Sequence, residues 1–409
     1  MQKDCRYIRK IKNLKIQEQG LNRQVEQVIK IFTQIIGEEV ANKPVEDEII
    51  EQITPKMLEK LYTVSQKHDL AHIVAAFLQK HSLLEEGVLA NKFTQSFYAA
   101  VMRYENIQYE FERICELFDS EQIIYIPLKG SEIRKFYPEP WLRTSCDIDI
   151  LIHPEDLEQA CELLSSRFEY RKEPCVYKDV SLYSPSGVHL ELHFMIQEDS
   201  ETLDKVLSKV WEYVHPIEEG RYQYAMTPEF LLFYVFAHMS YHFSIGGCGM
   251  RVFIDIWLLC KKVEYDKVIF QELCEESGIW KFAQAVNSLV EVWFEGETHN
   301  ELTREVEAYV IAGGMYGTSE TSIIAKKTQT PKKGMFLLRR LFMPYKKLRL
   351  LYPRLKKMPV LYPYYTVVRW CSVLNEDVFN RVTNEVKLNN EIEQKQVDEL
   401  KNLFDKLGI

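Results

Sequence analysis

Three short pieces between Tyr125 and Phe194 hold residues whose types and spacing suit chemistry: Leu128-Lys129-Gly130-Ser131, Asp147-Ile148-Asp149-Ile150 and Leu190-Glu191-Leu192. The alternation of acid and isoleucine reads as a strand, because successive side chains on a strand point to opposite faces. Asp147 and Asp149 then share a face with Leu151, while Ile148, Ile150 and Ile152 share the other. In the same way Val188, Leu190, Leu192 and Phe194 oppose His189, Glu191 and His193. Each strand offers an apolar face to a core and a charged face to something else.

Residues two apart on a strand sit about 7 Å apart, so two aspartates there are like charges held close unless a cation relieves them. Carboxylate oxygens are the ligands that Mg²⁺ prefers, and a two-metal site needs ions only about 3.5–4 Å apart. An exposed edge strand with solvated acids also accounts for Asp-Ile-Asp alone. A third carboxylate on a strand and an upstream Gly-Ser turn reduce the share of that explanation. Gly130-Ser131 follows the apolar run Ile123, Ile124, Tyr125, Ile126 and Leu128 and precedes a segment, 132–137, able to be helical. A strand, a glycine turn and a helix start present backbone N–H groups to phosphate oxygens, and the Ser131 hydroxyl adds a donor.

In this order the residues resemble the DNA polymerase beta-like nucleotidyltransferase superfamily: Gly-Ser, then Asp-x-Asp flanked by apolar residues, then a third acid on a strand. More narrowly, Leu128-Lys129-Gly130, Tyr137-Pro138, Leu142-Arg143, residues 147–151 and Glu191-Leu192-His193 resemble a bacterial group of nucleotidyltransferase family proteins. Fifteen residues separate Ser131 from Asp147, more than is usual in the superfamily, which leaves the base preference open. The resemblance implies an α+β fold, a nucleotidyltransferase-type mixed sheet with flanking helices, plus N-terminal and C-terminal helical regions. It also implies a Mg²⁺-dependent enzyme, with Mn²⁺ as the alternative ion. Such an enzyme transfers a nucleoside monophosphate from a nucleoside triphosphate, ATP among them, to a hydroxyl acceptor and releases pyrophosphate. Asp147, Asp149 and Glu191 would be both metal ligands and catalytic residues, with Glu191 also a candidate to help remove the hydroxyl proton. Gly130 and Ser131 would cradle the β and γ phosphates, and Lys129 and Arg143 would neutralise the triphosphate.

The surrounding elements have to bring these pieces together. Residues 1–90 read as an N-terminal helical region, with Val25, Val28, Ile29, Phe32 and Ile36 at helical spacing. His68 and His72 stand four apart without a metalloprotease glutamate between them, which favours a structural role. The catalytic domain is expected over 91–215, opened by a helix over 92–118 whose stripe includes Phe93, Phe97, Ala100, Tyr104, Ile107, Phe111, Ile114 and Phe118. A helix starts after His153-Pro154-Glu155-Asp156. Strands over 176–183 and 188–194 flank Ser184-Pro185-Ser186-Gly187 as a hairpin that brings Glu191 beside the aspartates. A helical domain over 216–320 closes the cleft. In it His238 and His242, and after a glycine loop Arg251 and Asp255, lie four apart. They read either as a polar helix face with an ordinary Arg–Asp pair or, with His193, as residues lining the cleft. The narrower group resembles this His-x-x-x-His, glycine loop and Arg-x-x-x-Asp.

Composition bounds the rest. The chain has 409 residues, 46% hydrophobic and 27% charged, as ordinary water-soluble domains do. Its nine cysteines form no Cys-x-x-Cys pair, which points to a reducing, cytoplasmic setting. The start of the sequence lacks an apolar signal-peptide core, and the longest apolar run, 230–237, is too short to span a bilayer. The net charge of −9 hides thirteen Lys or Arg residues, with no acid, in 321–375. That basic segment, opening a C-terminal region over 321–409, suits an anionic membrane surface, RNA or the acidic body of the protein itself. A nucleotide-binding or peripheral-membrane scaffold without turnover is the alternative reading. The acceptor and the oligomeric state have no sequence signal.

Overall fold

Alternating apolar residues build a five-stranded mixed sheet at the centre of the chain. The structure is a computed structural model that describes residues 24–173, 178–198, 200–315, 317–329, 345, 348, 352, 354–372 and 394–409. The strands are β1 (Tyr125–Pro127), β2 (Asp147–Ile152), β3 (Arg171–Lys172), β4 (Asp179–Tyr183) and β5 (His189–His193). Their order is β1-β2-β5-β4-β3. β2 and β5 run parallel, and the other neighbouring pairs are antiparallel. A separate two-stranded ribbon pairs β6 (Val214–Pro216) with β7 (Tyr224–Met226). This mixed sheet among many flanking helices is an α+β architecture, the class expected.

Period-two patterning decides how the sheet is buried. Ile148, Ile150, Ile152, Val180, Leu182, Leu190 and Leu192 pack into one core with Ile107, Ile114, Leu117 and Phe118 of a long helix and Ala160, Cys161 and Leu164 of a shorter one. The long helix spans Val88–Ser120 and the shorter one Leu157–Phe168. The long helix exceeds the range expected from its apolar stripe by about one turn at its start, where Leu89 and Ala90 are good helix formers. The opposite face of the sheet carries the acids and meets a larger helical core at Ile126, Leu128 and Leu151.

That second core is built by helices over 24–41, Pro55–Lys67, Ala71–Lys80, Pro228–Ile245, Arg251–Lys262, Lys267–Glu276, Trp280–Phe294 and Glu301–Gly313. We name three of the helices that reach the site: α1 (Lys129–Ile133), α2 (Pro228–Ile245) and α3 (Arg251–Lys262). α2 is apolar nearly all round, which is the pattern of a helix buried on every side. Proline at its first position fits, because the missing N–H has no intrahelical partner there. Between α2 and α3 the chain turns through Gly246 and Gly247 with φ of +154° and +129°, and a Cβ on Gly246 would stand 2.3 Å from the Ser322 hydroxyl. Only glycine fits that turn.

The described part of the expected first hairpin strand runs from Asp179 to Tyr183, and residues 174–177 lie outside the described ones. Residues 330–344, 346–347, 349–351 and 353 of the basic segment, and the stretch 373–393 with Val378, Val382, Val386 and Ile392, also lie outside them. The final helix, Gln394–Leu407, buries Val397, Leu400, Leu403 and Leu407. Cys115, Cys146, Cys161, Cys248, Cys260 and Cys274 are free thiols. No helix among the described residues is long and apolar enough to cross a membrane.

Candidate active site

Parallel pairing of β2 with β5 places Asp149 opposite Glu191, Asp147 opposite His189 and Leu151 opposite His193. Paired residues point to the same face, so the three acids and both histidines stand together. Carboxylate or imidazole atoms of Asp147, His189 and Glu191 lie within 4.8 Å of one another, as do those of Asp149, Glu191 and His193. β4 adds Asp179 opposite His193. The expectation that a hairpin would deliver Glu191 to the aspartates is met by β4 and β5, with β5 continuing into the long-range pairing with β2.

Asp149 is the electrostatic centre. It is 2% exposed, and its Oδ1 accepts from Lys129 Nζ at 2.8 Å and from His193 Nε2 at 3.0 Å. His193 Nε2 also stands 3.3 Å from Glu191 Oε2. Burial alone would raise the Asp149 carboxyl, but the Lys129 ammonium and the His193 hydrogen bond outweigh it and hold it well below the usual range. Glu191 is lowered by its hydrogen bond from His193. His193 itself is raised, because Asp149 and Glu191 overcome a desolvation that favours the neutral ring. Asp147 moves the other way: burial and the neighbouring Asp149 charge push it up. One carboxylate is thus neutralised by protein cations while the next remains short of positive charge. Hard oxygen donors converging on one face with an uncompensated carboxylate fit a divalent cation.

The turn after β1 positions Lys129 and Gly130. Leu128 N–H donates to Asp149 O at 2.9 Å, which fixes the turn against β2. Lys129 follows in the left-handed region at φ 45°, an uncommon conformation for a side-chain-bearing residue, and its ammonium reaches back to Asp149. Gly130 lies so close to Ser145 that a Cβ would stand 3.0 Å from the serine Cβ. Arg134, buried behind them, clasps both: its Nε donates to Gly130 O at 2.8 Å and its Nη2 to Ser145 Oγ at 2.7 Å. Lys129, Gly130 and Ser145 line a cavity of about 440 Å³ together with Asp147, Asp149 and Glu191. Ser131 does not line it. Its hydroxyl is buried without a partner among the described residues, and its N–H closes the turn onto Leu128 O.

Across the cavity stand Tyr234, His238 and His242 of α2 and Arg251 and Asp255 of α3. The Arg251–Asp255 spacing does not produce a pair. Asp255 instead accepts from Arg143 Nε at 2.8 Å and from the Tyr137 hydroxyl at 2.7 Å. Arg251 Nη1 donates to Thr144 O at 2.5 Å, and its Nη2 stands 3.2 Å from Asp69 Oδ2. Arg143 lines the cavity with its guanidinium committed to Asp255. His68 and His72 are interior hydrogen-bonding groups: His68 Nδ1 accepts from Met250 N–H, and His72 Nε2 bonds Leu142 O. Burial lowers both to about 4.

Sequence reasoning passed over Glu198, Tyr234, Lys178 and Asp179, which also line this cavity. Tyr234 had a signal, since residues 234, 238, 241 and 242 form a polar strip on an otherwise apolar helix. Glu198 had none, because it sits in a loop after β5 and meets its partner 40 residues away, at His238 Nδ1, 2.7 Å.

A family model described as "Uncharacterised nucleotidyltransferase" matches residues 55–295, which include every residue named in this site. No curated protein and no solved structure matches the chain.

Proposed function

The chain belongs to the family of uncharacterised nucleotidyltransferases, and from that premise we propose that it moves a nucleoside monophosphate from a nucleoside triphosphate to a hydroxyl-bearing acceptor, releasing pyrophosphate. The observation that carries this reading is the β2–β5 register, which sets Asp149 opposite Glu191 with Asp147 on the same face. We assign Asp147, Asp149 and Glu191 as the ligands of Mg²⁺, or of Mn²⁺ in its place, and propose kinship with the DNA polymerase beta-like superfamily. When bound, the divalent ions supply Lewis-acid charge to the α-phosphoryl group and the departing pyrophosphate.

The chain's own residues do the positioning. Asp149, kept ionised by Lys129 and His193, stays a charged ligand at every physiological pH. Lys129 carries a cation on a flexible four-carbon stem, able to turn from Asp149 to the β and γ phosphates as the nucleotide enters. Gly130, held against Ser145 by Arg134, gives the phosphates close access to backbone, with Ser131 behind it as a reserve donor. Arg143, committed to Asp255, acts as a positive wall of the cavity instead of a mobile clamp. His193 fixes the orientation of Asp149 and Glu191, while His238, His242, Arg251 and Asp255 present the side that closes over the nucleotide or acceptor.

In this organisation 1–90 is a helical region, 91–215 the catalytic domain, 216–320 the closing domain and 321–409 the basic segment with C-terminal helices. The thirteen cations in 321–375 suit an anionic surface, membrane or RNA, on a cytoplasmic protein. Flotation with anionic liposomes that weakens with salt supports the membrane; RNA retention without flotation supports the other. Substrate is tested by pyrophosphate release with each of the four nucleoside triphosphates, followed by mass shift of candidate sugars, lipids, proteins and RNA. A product heavier by one nucleoside monophosphate is expected. Loss of γ-phosphate alone would contradict the reading.

A further inference from the structure

The acceptor's hydroxyl proton has to go somewhere, and the acids on the sheet are poor receivers. Asp147, Asp149 and Glu191 are the assigned metal ligands, and Asp149 and Glu191 also face His193 Nε2 at 3.0 and 3.3 Å, so their oxygens are already engaged. The opposite wall of the same cavity carries a group of another kind. His238, on α2, points Nδ1 at Glu198 Oε1 across 2.7 Å, and Glu198 is 3% exposed.

We propose that His238 is the catalytic base for the acceptor hydroxyl and that Glu198 is its positioning residue; the inference rests on the nucleotidyl-transfer reading of the site. A carboxylate at Nδ1 selects the tautomer whose Nδ1–H donates to Glu198, and this leaves the Nε2 lone pair to accept a proton. Among the described residues Nε2 makes no hydrogen bond with the protein, and the ring is about one-quarter exposed in the cavity. Nε2 takes the proton of the acceptor O–H, and the oxygen lone pair forms the bond to the α-phosphorus. The bond between the α-phosphorus and the bridging oxygen breaks, and that electron pair leaves with pyrophosphate. The imidazolium so formed is stabilised by the Glu198 carboxylate.

The surroundings suit this role. Glu198 stays charged, since His238 and the Lys178 ammonium, 3.9 Å away, overcome its desolvation. His242, its ring centroid 4.4 Å from that of His238, is lowered to about 4 by burial and by His238, so it is a neutral neighbour at working pH. The titratable groups that share the cavity with His238 include Glu198, Lys178 and the acids Asp147, Asp149, Asp179 and Glu191 from the sheet side, Tyr234, Tyr241 and His242 from its own helix, and Lys129 from the turn after β1. The His-x-x-x-His spacing is therefore divided between two tasks, one imidazole oriented by a carboxylate and one kept neutral by burial.

Two measurements on the full-length protein test this. In the first, pyrophosphate release from Mg²⁺ and nucleoside triphosphate is followed with glycerol as the hydroxyl probe, alongside calorimetric binding of the α,β-methylene triphosphate. His238→Gln is expected to lower turnover by about 100-fold or more, with analogue binding unchanged and part of the rate restored by added imidazole. Glu198→Gln is expected to lower turnover less and to move the acidic limb of the pH–rate profile downward, and Glu198→Asp to recover part of both. Unchanged turnover in His238→Gln, while Asp149→Asn is inactive, overturns this inference alone; unchanged turnover in both overturns the nucleotidyl-transfer reading as well. The second measurement needs no turnover: ¹⁵N NMR of histidine-labelled protein at pH 8 should show His238 as the Nδ1–H tautomer, lost in Glu198→Gln. An Nε2–H tautomer in the parent protein overturns the assignment even where glycerol is not accepted.

Discussion

Two aspartates two residues apart on one strand answer oppositely to their surroundings. Asp149 is buried against Lys129 and His193 and lowered; Asp147 is raised by burial and by Asp149. A lowered carboxyl contributes stability above its unfolded value, near 3.9, and loses it only as pH falls through the lower folded value. A raised carboxyl contributes stability only at low pH and loses it as pH rises through its folded value. At pH 7 without metal, Asp147 is therefore a cost and Asp149 a gain. In EDTA, Asp149→Asn should destabilise on the order of 3 kcal/mol by leaving buried cations uncompensated, whereas Asp147→Asn should raise the melting temperature. Both should lose Mg²⁺ binding. Affinity of the parent protein for Mg²⁺ should weaken as pH falls from neutral toward the raised Asp147 value, because proton and metal compete for one carboxylate. Equal destabilisation by the two substitutions would contradict this division of roles.

At the scale of elements, the sheet was legible and the helix-to-sheet contacts were not. Alternation in Asp147–Ile152 and 188–194 carries both the core face and the chemical face, because a period of two assigns every side chain at once. It also names Asp147, Asp149 and Glu191 as sharing a side once the strands pair. What alternation cannot give is which residue of a distant helix meets which residue of the sheet. Arg251 and Asp255 have the spacing of a helix-surface pair, yet Asp255 bonds Arg143, 112 residues earlier, and Arg251 reaches Asp69. Tertiary burial overrides a local pair worth a few tenths of a kcal/mol. The Glu198–His238 pair was hidden for the same reason. The Arg143–Asp255 bond joins the turn before β2 to α3 with side chains 11% and 2% exposed. Arg143→Gln and Asp255→Asn should each destabilise by about 3–5 kcal/mol. The double substitution should cost clearly less than their sum, measured by denaturant unfolding; strict additivity would show that the two do not couple.

For the whole molecule, the cavity is walled by the sheet on one side and by α2 and α3 on the other. A ligand seated there stabilises both parts of the fold together, by an amount set by its concentration over its dissociation constant. With Mg²⁺ and an α,β-methylene triphosphate at 100 times that constant, the unfolding free energy should rise by about 2.7 kcal/mol. Neither Mg²⁺ nor nucleotide should match this alone. Thermal melts that respond equally to nucleotide with and without Mg²⁺ would place the ligand away from the acids.

The most direct measurement compares pyrophosphate release by the parent protein and by Asp149→Asn, with excess Mg²⁺ and the preferred nucleoside triphosphate. The exchange keeps the shape of the side chain and removes its charge. The parent is predicted to turn over and Asp149→Asn to fall by at least about 100-fold while remaining folded by circular dichroism. Equal rates in the two proteins would contradict a reaction centred on the β2–β5 carboxylates.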